Sequence, residues 1–440
     1  MKLDKRKAGR RKAFVVLGAG VLLISACTSS TTTTAAPTTT GAPATTAAPS
    51  TTAAPGTTAA AMSPIQMAIG AMVDQTGALS GIVDAVSEPL NMAVAEINAV
   101  SPDLVSVEFA DDGTDQTVAG TNIEAFLDGS KNAVMGPLAS GVAASVWDKV
   151  NTAHMVMCSG TSTGSAFSAP EYDPNHVRTA PSDDIQGPLL GNIVVEDGNA
   201  NVAVSWRQDV YGEGFGNALA DAVEAAGATV VYREGYDPEA GSYTDVAQDI
   251  VASGADALAL ISFAEGGQIV QDLAAAGWDG QTYVADGFVD NIKADTVGGR
   301  TDLVEGFKGT YPAAAPANGE ATFGDRFAAF APDAPTVFSA HQYDCFVVLT
   351  LAAQAAQSND PAVYVDQIIG VTRDGEKCSL VADCLEKVWA GVDIDYDGAS
   401  GPLDFSEHGE PGIGTYDTFT YGADLALTYG EQIQGSLPEG

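Results

Sequence analysis

The feature that most constrains this chain is an alternation that occurs twice. From Ile65 onward, short apolar runs read as strands: "IQMAIGAM", "LVSVEFADD", "NAVMGP" and "HMVMCS". Between them lie segments of helical period, "SEPLNMAVAEIN", "QTVAGTNIEAFLD" and "SGVAASVWDKVN". In the first of these Leu90, Ala93, Val94 and Ile97 share one face, with Ser87 as the expected cap. A Pro-, Asp- and Ser-rich stretch over 168–188 interrupts the pattern, which then restarts. "NVAVSW" is followed by a helix over about 214–226, then "ATVVY", "SYTDVAQDIVASG", "DALALIS", "GGQIVQDLAAAGW" and "QTYVADG". Ser242 and Asp245 resemble a capping box, and Gly277 marks a helix stop. Tandem β-α-β-α-β units of this kind fold as α/β with two doubly wound, mainly parallel sheets, because right-handed crossovers place helices on both faces.

Such sheets bind ligands outside the carboxyl ends of their strands. The loops at those ends cover residues 74–81, 136–141, 159–164, 208–214, 262–267 and 286–290. They are rich in Gly, Ser and Thr. Backbone N–H groups and hydroxyls at helix N-termini suit a carboxylate or another small polar group.

The N-terminus has its own logic. Seven basic residues precede Ala13, an apolar run extends to Ile24, and Ser25-Ala26-Cys27 follows. This is the layout of a secretory signal, with an apolar run about half the ~20 residues of a membrane span. Ile24-Ser25-Ala26-Cys27 resembles a bacterial lipobox, which implies cleavage before Cys27 and lipid attachment to it. Residues 28–61 are almost only Thr, Ala, Pro, Ser and Gly, which cannot bury a core, and read as an extended tether.

The chain carries 19 Lys+Arg and 57 Asp+Glu. Beyond the segment before Ala13, 12 bases face 56 acids, a formal charge of −44. Nucleic acid and anionic membrane surfaces are therefore excluded as partners. Four cysteines follow Cys27, in a compartment where disulfides persist. Cys378 and Cys384 lie close enough for a local bridge. Cys158 and Cys345 sit in apolar segments and read as buried free thiols, with a long-range bridge as the other reading.

Catalytic signals are sparse. Gly160-Thr161-Ser162-Thr163-Gly164 matches the nucleophile elbow G-x-S-x-G, and Asp286 and His341 follow in hydrolase order. An elbow runs straight into a helix, whereas here Pro170 and Pro174 follow. A secreted serine esterase using Ser162 is thus the minority reading. The four histidines lack metal-ligand spacing, and no phosphate loop occurs. No cofactor and no catalysis are expected. In "GVDIDYDGASGPLDF", Asp393, Asp395, Asp397 and Gly398 match the start of a calcium loop, with Asp404 at its twelfth position. Gly401-Pro402 breaks the second half, so a turn with exposed acids is preferred.

Taken together, "IGAMVDQTGALSG", "NMAVAEIN", "FADDGTD", "GPLAS", "VMCSGTST", "HVRTAPSDDIQGP", "DVYGEGF", "YVADG" and "GASGPLDFSEHGE" resemble solute-binding proteins of the leucine/isoleucine/valine type that feed ABC importers. The resemblance spans roughly residues 65–432. It implies the type I periplasmic binding protein fold, in which two Rossmann-like lobes joined by three crossovers close on ligand. Residues 62–181 with 312–409 would form lobe 1, and 182–311 with 410–440 lobe 2. The crossings fall near 180–183, 310–312 and 409–414. By the same resemblance, Ser140, Gly160, Thr161 and Ser162 would hold an amino-acid carboxylate. Asp286 would meet the ammonium, and Tyr211, Phe263 and Phe338 would form aromatic walls. The implied protein is a monomer, lipid-anchored outside the cell, that hands an amino acid or similar solute to an ABC permease. A ligand-sensing domain without a transporter is the alternative of that kind.

Overall fold

The computed structural model describes residues 62–314 and 322–438. The signal, the lipobox with Cys27 and the tether lie outside these residues. The first alternation gives β1 (Met67–Met72), α1 (Val83–Val100), β2 (Val105–Ala110), α2 (Gln116–Asp128), β3 (Ala133–Met135), α3 (Ser140–Thr152), β4 (Met157–Ser159) and β5 (His176–Arg178). Its five strands form one parallel sheet in the order β2-β1-β3-β4-β5.

The chain then crosses into a second unit. It comprises α4 (Asp183–Glu196), β6 (Asn201–Arg207), α5 (Val210–Ala225), β7 (Thr229–Tyr236), α6 (Thr244–Ala252), β8 (Ala257–Ile261), α7 (Gly266–Ala276), β9 (Gln281–Val284) and β10 (Lys308–Pro312). Residues 310–312, expected to carry the second crossing, instead complete β10 and pair with a later strand, so the passage back follows Pro312. The return to the first unit adds α8 (Phe323–Phe330), α9 (Ser339–Ala356), α10 (Pro361–Ile368), β11 (Glu376–Cys378), α11 (Val381–Trp389) and β12 (Ile394–Tyr396). After a final crossing, β13 (Ile413–Tyr421) and β14 (Leu427–Ser436) join the second sheet antiparallel, in the order β14-β13-β10-β9-β8-β6-β7.

Local departures from the sequence reading have local causes. Ser87 caps nothing: α1 begins at Val83, directly after a turn over Ser80–Ile82, and Ala85 and Val86 are already buried. The helix runs through Pro89, at the cost of one backbone bond. Helix α5 starts at Val210, because the Asp209 carboxylate accepts from the Gly212 N–H (2.9 Å) and caps it there. Ser242 and Asp245 form no capping box; Tyr243 is the residue before α6, and the Ser242 hydroxyl meets that of Thr244. Gly277 does end α7, in the left-handed conformation.

Two apolar clusters hold the molecule. One buries α9 on every face, between the first sheet and α1, α10 and α11. From Ser339 to Gln354 every residue of α9 is buried. The other runs from the α2–α3 face of the first sheet through Leu138, Tyr211, Phe263 and Phe338 into the second sheet.

The acidic segment that resembled a calcium loop serves α9. Buried Asp344 on that helix accepts from the Tyr396 hydroxyl, the Ala399 and Ser400 N–H groups and the Ser400 hydroxyl, all at 2.6–2.7 Å. A Cβ on Gly398 would lie 2.3 Å from the Asp344 carboxylate, so the turn closes over it only with glycine. Asp395 and Asp397 both bind Lys377, at 2.8 and 2.9 Å. Among the described residues no group of three His, Cys, Asp or Glu side chains is arranged to hold a metal ion.

Candidate functional site

All six strand-end loops place residues on one narrow cavity between the sheets. From the first unit come Leu79, then Leu138, Ala139 and Ser140, then Thr161 and Thr163; from the second come Tyr211, Phe263, Asp286 and Gly287. Ile82 and Phe338 complete the lining.

The first-unit wall is built for accepting groups. Ser140 opens α3, and no side chain caps that helix, so its first N–H groups carry the positive end of the dipole into the cavity wall. The Ser140 hydroxyl accepts from Gly164 N–H (3.1 Å), which ties two of the loops together. Thr161 donates to the Leu138 carbonyl (3.0 Å). Behind this loop stands Arg178, fully buried, whose guanidinium donates to the carbonyls of Ser162, Thr163 and Gly164 and to Glu410 of the third crossing. Sequence reasoning missed this brace; its signal was an arginine inside the otherwise uncharged strand "HVRTA".

The second-unit wall is aromatic. Tyr211 stacks on Phe263 at 5.3 Å, and the Arg207 guanidinium covers the outer face of Phe263 at 3.6 Å. Arg207 is itself fixed by Asp209 (2.6 Å) and Glu265 (2.8 Å). Phe338, opening α9, holds a positive φ of 60°, strained for a bulky residue, and this aims its ring at the cavity.

The floor is acidic. Asp286 is 4% exposed, and its Oδ1 has no hydrogen-bond partner. Burial pushes its carboxyl up to about 7, opposed in part by the polar groups of Gln186 and Tyr211 nearby.

Ser140, Thr161, Tyr211, Phe263, Asp286 and Phe338 thus meet at one place, whereas Gly160 and Ser162 do not line it. The Ser162 hydroxyl points the other way and donates to the carbonyls of Pro137 (3.1 Å) and Leu138 (3.3 Å). A Cβ on Gly160 would lie 2.6 Å from the backbone nitrogen of Gln342, so this glycine lets α9 approach the sheet. Thr163, not assigned to the ligand site in the sequence reading, takes the inward place. Alternation along the extended loop carries the signal: Thr161 and Thr163 face one side and Ser162 the other. The esterase geometry is absent among the described residues: Ser162, His341 and Asp286 make no hydrogen bond to one another. Buried His341 is held neutral, its imidazole pushed down to about 3 by desolvation.

Both remaining cysteine pairs are bonded. Cys378 joins Cys384 beside α11. Cys158 and Cys345, expected as free thiols, form a disulfide between β4 and α9. The apolar segments that hid the two thiols are the faces that pack together here.

Comparison with known proteins agrees with this architecture. The family described as periplasmic binding protein matches residues 66–408. A Leu/Ile/Val-binding protein homolog of Brucella abortus is 25% identical over 309 residues, covering 68% of this chain and 81% of that protein. An uncharacterized protein of Methanocaldococcus jannaschii is 25% identical over 41% of this chain, which spans under half (45%) of that relative. Among solved structures, the leucine binding protein LivK of Thermotoga maritima superimposes with a TM-score of 0.70 at 17% identity, covering 83% of this chain and 98% of that one. The branched-chain amino acid binding protein LivJ of Streptococcus pneumoniae, in complex with isoleucine, gives 0.68 at 17% identity, covering 84% and 99%. With a family match over most of its length and the type I fold, the chain belongs to the periplasmic binding protein family, a family of binding proteins rather than enzymes.

Proposed function

We propose that the protein captures a small amino acid, branched-chain or similar, between its two lobes outside the cell and delivers it to an ABC permease. The observation that carries this reading is the polarity of the cavity at the strand-end loops. One wall offers a helix N-terminus and hydroxyls, the floor offers a buried carboxyl, and apolar side chains fill the space between. An α-amino acid has the matching order: carboxylate toward Ser140, Thr161 and Thr163, ammonium toward Asp286, and side chain against Leu79, Tyr211, Phe263 and Phe338. The names of the relatives support the same class. Residues from both lobes contribute, so ligand stabilises the closed form, which is the form a permease would recognise. Lobe limits at 62–181 with 312–409 and 182–311 with 410–440, the second boundary moved past Pro312, and a lipid anchor at Cys27, belong to this proposal.

Calorimetric titration with leucine, isoleucine and valine tests it, with acetamide, urea and dicarboxylates as contrasts. Micromolar binding of an aliphatic amino acid is expected, equivalent to about −8 kcal/mol. Binding of the contrasts alone would sink the assignment.

A further inference from the structure

The aromatic wall of the cavity is braced by a residue that does not line it. Phe263 faces the cavity. Arg207, whose guanidinium lies over the Phe263 ring at 3.6 Å, lines instead a groove outside, with Asp209, Asp237 and Glu239. Arg207 is the last residue of β6 and is buried. Its Nε donates to Asp209 Oδ2 (2.6 Å) and its Nη1 to Glu265 Oε1 (2.8 Å). A planar guanidinium held at two of its nitrogens has one orientation, and the ring beneath it shares that orientation.

Each of the two acids also reaches a wall residue. Glu265 Oε1 accepts from the Phe263 N–H (3.1 Å) and from the hydroxyl of Tyr236, which ends β7 (3.0 Å). Asp209 Oδ1 accepts from the Gly212 N–H (2.9 Å) in the first turn of α5, the turn that carries Tyr211. A Cβ on Gly212 would lie 2.0 Å from the Arg207 carbonyl oxygen, so that turn rests directly on Arg207. Tyr211 in turn stacks on Phe263. A Cβ on Gly287 would lie 2.7 Å from the Phe263 ring, so the backbone after Asp286 bears on it as well. Of these three neighbours of the ring, Arg207 alone lines the groove; Tyr211 and Gly287 line the cavity.

Building on the amino-acid reading above, we propose that Arg207 determines specificity through Phe263: by fixing that ring it sets the largest ligand side chain the cavity admits. Arg207 is a positioning residue and touches no ligand. With it in place, a leucine-sized side chain meets a wall that does not give. Without it, the ring is free to turn into the groove, and the cavity gains the room an aromatic side chain needs. Discrimination by size in an apolar pocket is worth about 10–200-fold per methylene, so a wall that yields is read directly in the selectivity.

Calorimetric competition with L-alanine, L-leucine and L-phenylalanine tests this on the wild type, Arg207→Ala and Arg207→Lys. The wild type should prefer leucine to phenylalanine by more than about tenfold. Arg207→Ala should cut that preference about tenfold or more and change alanine affinity less than about threefold. Arg207→Lys, which keeps the charge and loses the planar fork, should fall between the two. Equal weakening of all three ligands, or an unchanged leucine-to-phenylalanine ratio, would overturn the role of Arg207. Should Arg207→Ala fail to fold, Tyr236→Phe decides. It removes one donor from Glu265 and should lower the ratio about threefold; an unmoved ratio there also overturns the proposal. A wild type that binds amino acids without preferring leucine to phenylalanine overturns the size limit and leaves the amino-acid reading intact. Absence of binding by any amino acid sinks both.

Discussion

Arg178 and Asp183 flank the same crossing, both fully buried, and the fold treats them in opposite ways. Arg178 is satisfied from every side by Glu410, the Ser168 hydroxyl and three loop carbonyls. Asp183, Asp286, Gln186 and Tyr416 keep oxygens that no described residue pairs. Buried polar groups are normally paired, and an exception calls for an explanation. Where the network is complete, the group holds the structure. Where it is incomplete at the edge of a cavity, as at Asp286, the group is left open to a partner from outside.

The sharpest way to break this contrast is Arg178→Ala. It should cost about 3–5 kcal/mol, because Glu410 is left as a lone buried charge. Chemical denaturation would show it; a loss below 1 kcal/mol would mean the brace is ornamental. Asp286→Ala should do the reverse. Leucine affinity is expected to fall about 100-fold, equal to ~2.7 kcal/mol, with stability held or improved. A variant that bound normally would remove the acid from the site.

A buried acid pair elsewhere in the fold separates incompleteness from cavity position. Asp112 lies beside Asp74 outside the cavity lining, and both its oxygens lack partners by geometry. Burial, then the hydrogen bond and charge of Asp74, push Asp112 up to about 9. The folded state therefore holds a proton that the unfolded chain gives up above its ordinary carboxylate pKa near 3.8. This group's contribution falls as pH rises from about 4 to about 9. Asp112→Asn should accordingly stabilise the protein at pH 8, by about 1–3 kcal/mol, more than at pH 5, and leave ligand affinity alone. Thermal melts at the two pH values, paired with a titration, check both halves. The smallest effect belongs to Ser162→Ala: about 1 kcal/mol of stability for its carbonyl bonds, with no ester hydrolysis to lose.

How much of this was legible beforehand depended on the range of the cause. Helix α2 was read at its observed limits, because its period and the cap at Asp115 are local. The six loops were found because strand-end position follows from the alternation alone. What escaped was set by contacts distant in sequence. Ser162 faces carbonyls of a different loop, and Gly160 is a glycine because α9 lies against it. Arg178 is meaningful only beside Glu410, and the Cys158–Cys345 bond needs two segments of separate passes of the chain. The second crossing slipped beyond Pro312 because β10 gains a partner, β13, more than a hundred positions later. In the calcium-like segment, periodic acids were visible, but their buried client Asp344 was not.

The Cys158–Cys345 bond has a topological consequence. It closes a covalent ring over a sequence separation of 187, and the whole run from α4 to β10 lies inside that ring. A protease that nicks any exposed loop of this insert leaves two fragments joined as one covalent molecule until the bond is reduced. The run from α4 to β10 is thereby tied at both of its ends to the first unit, through the chain and through the bond.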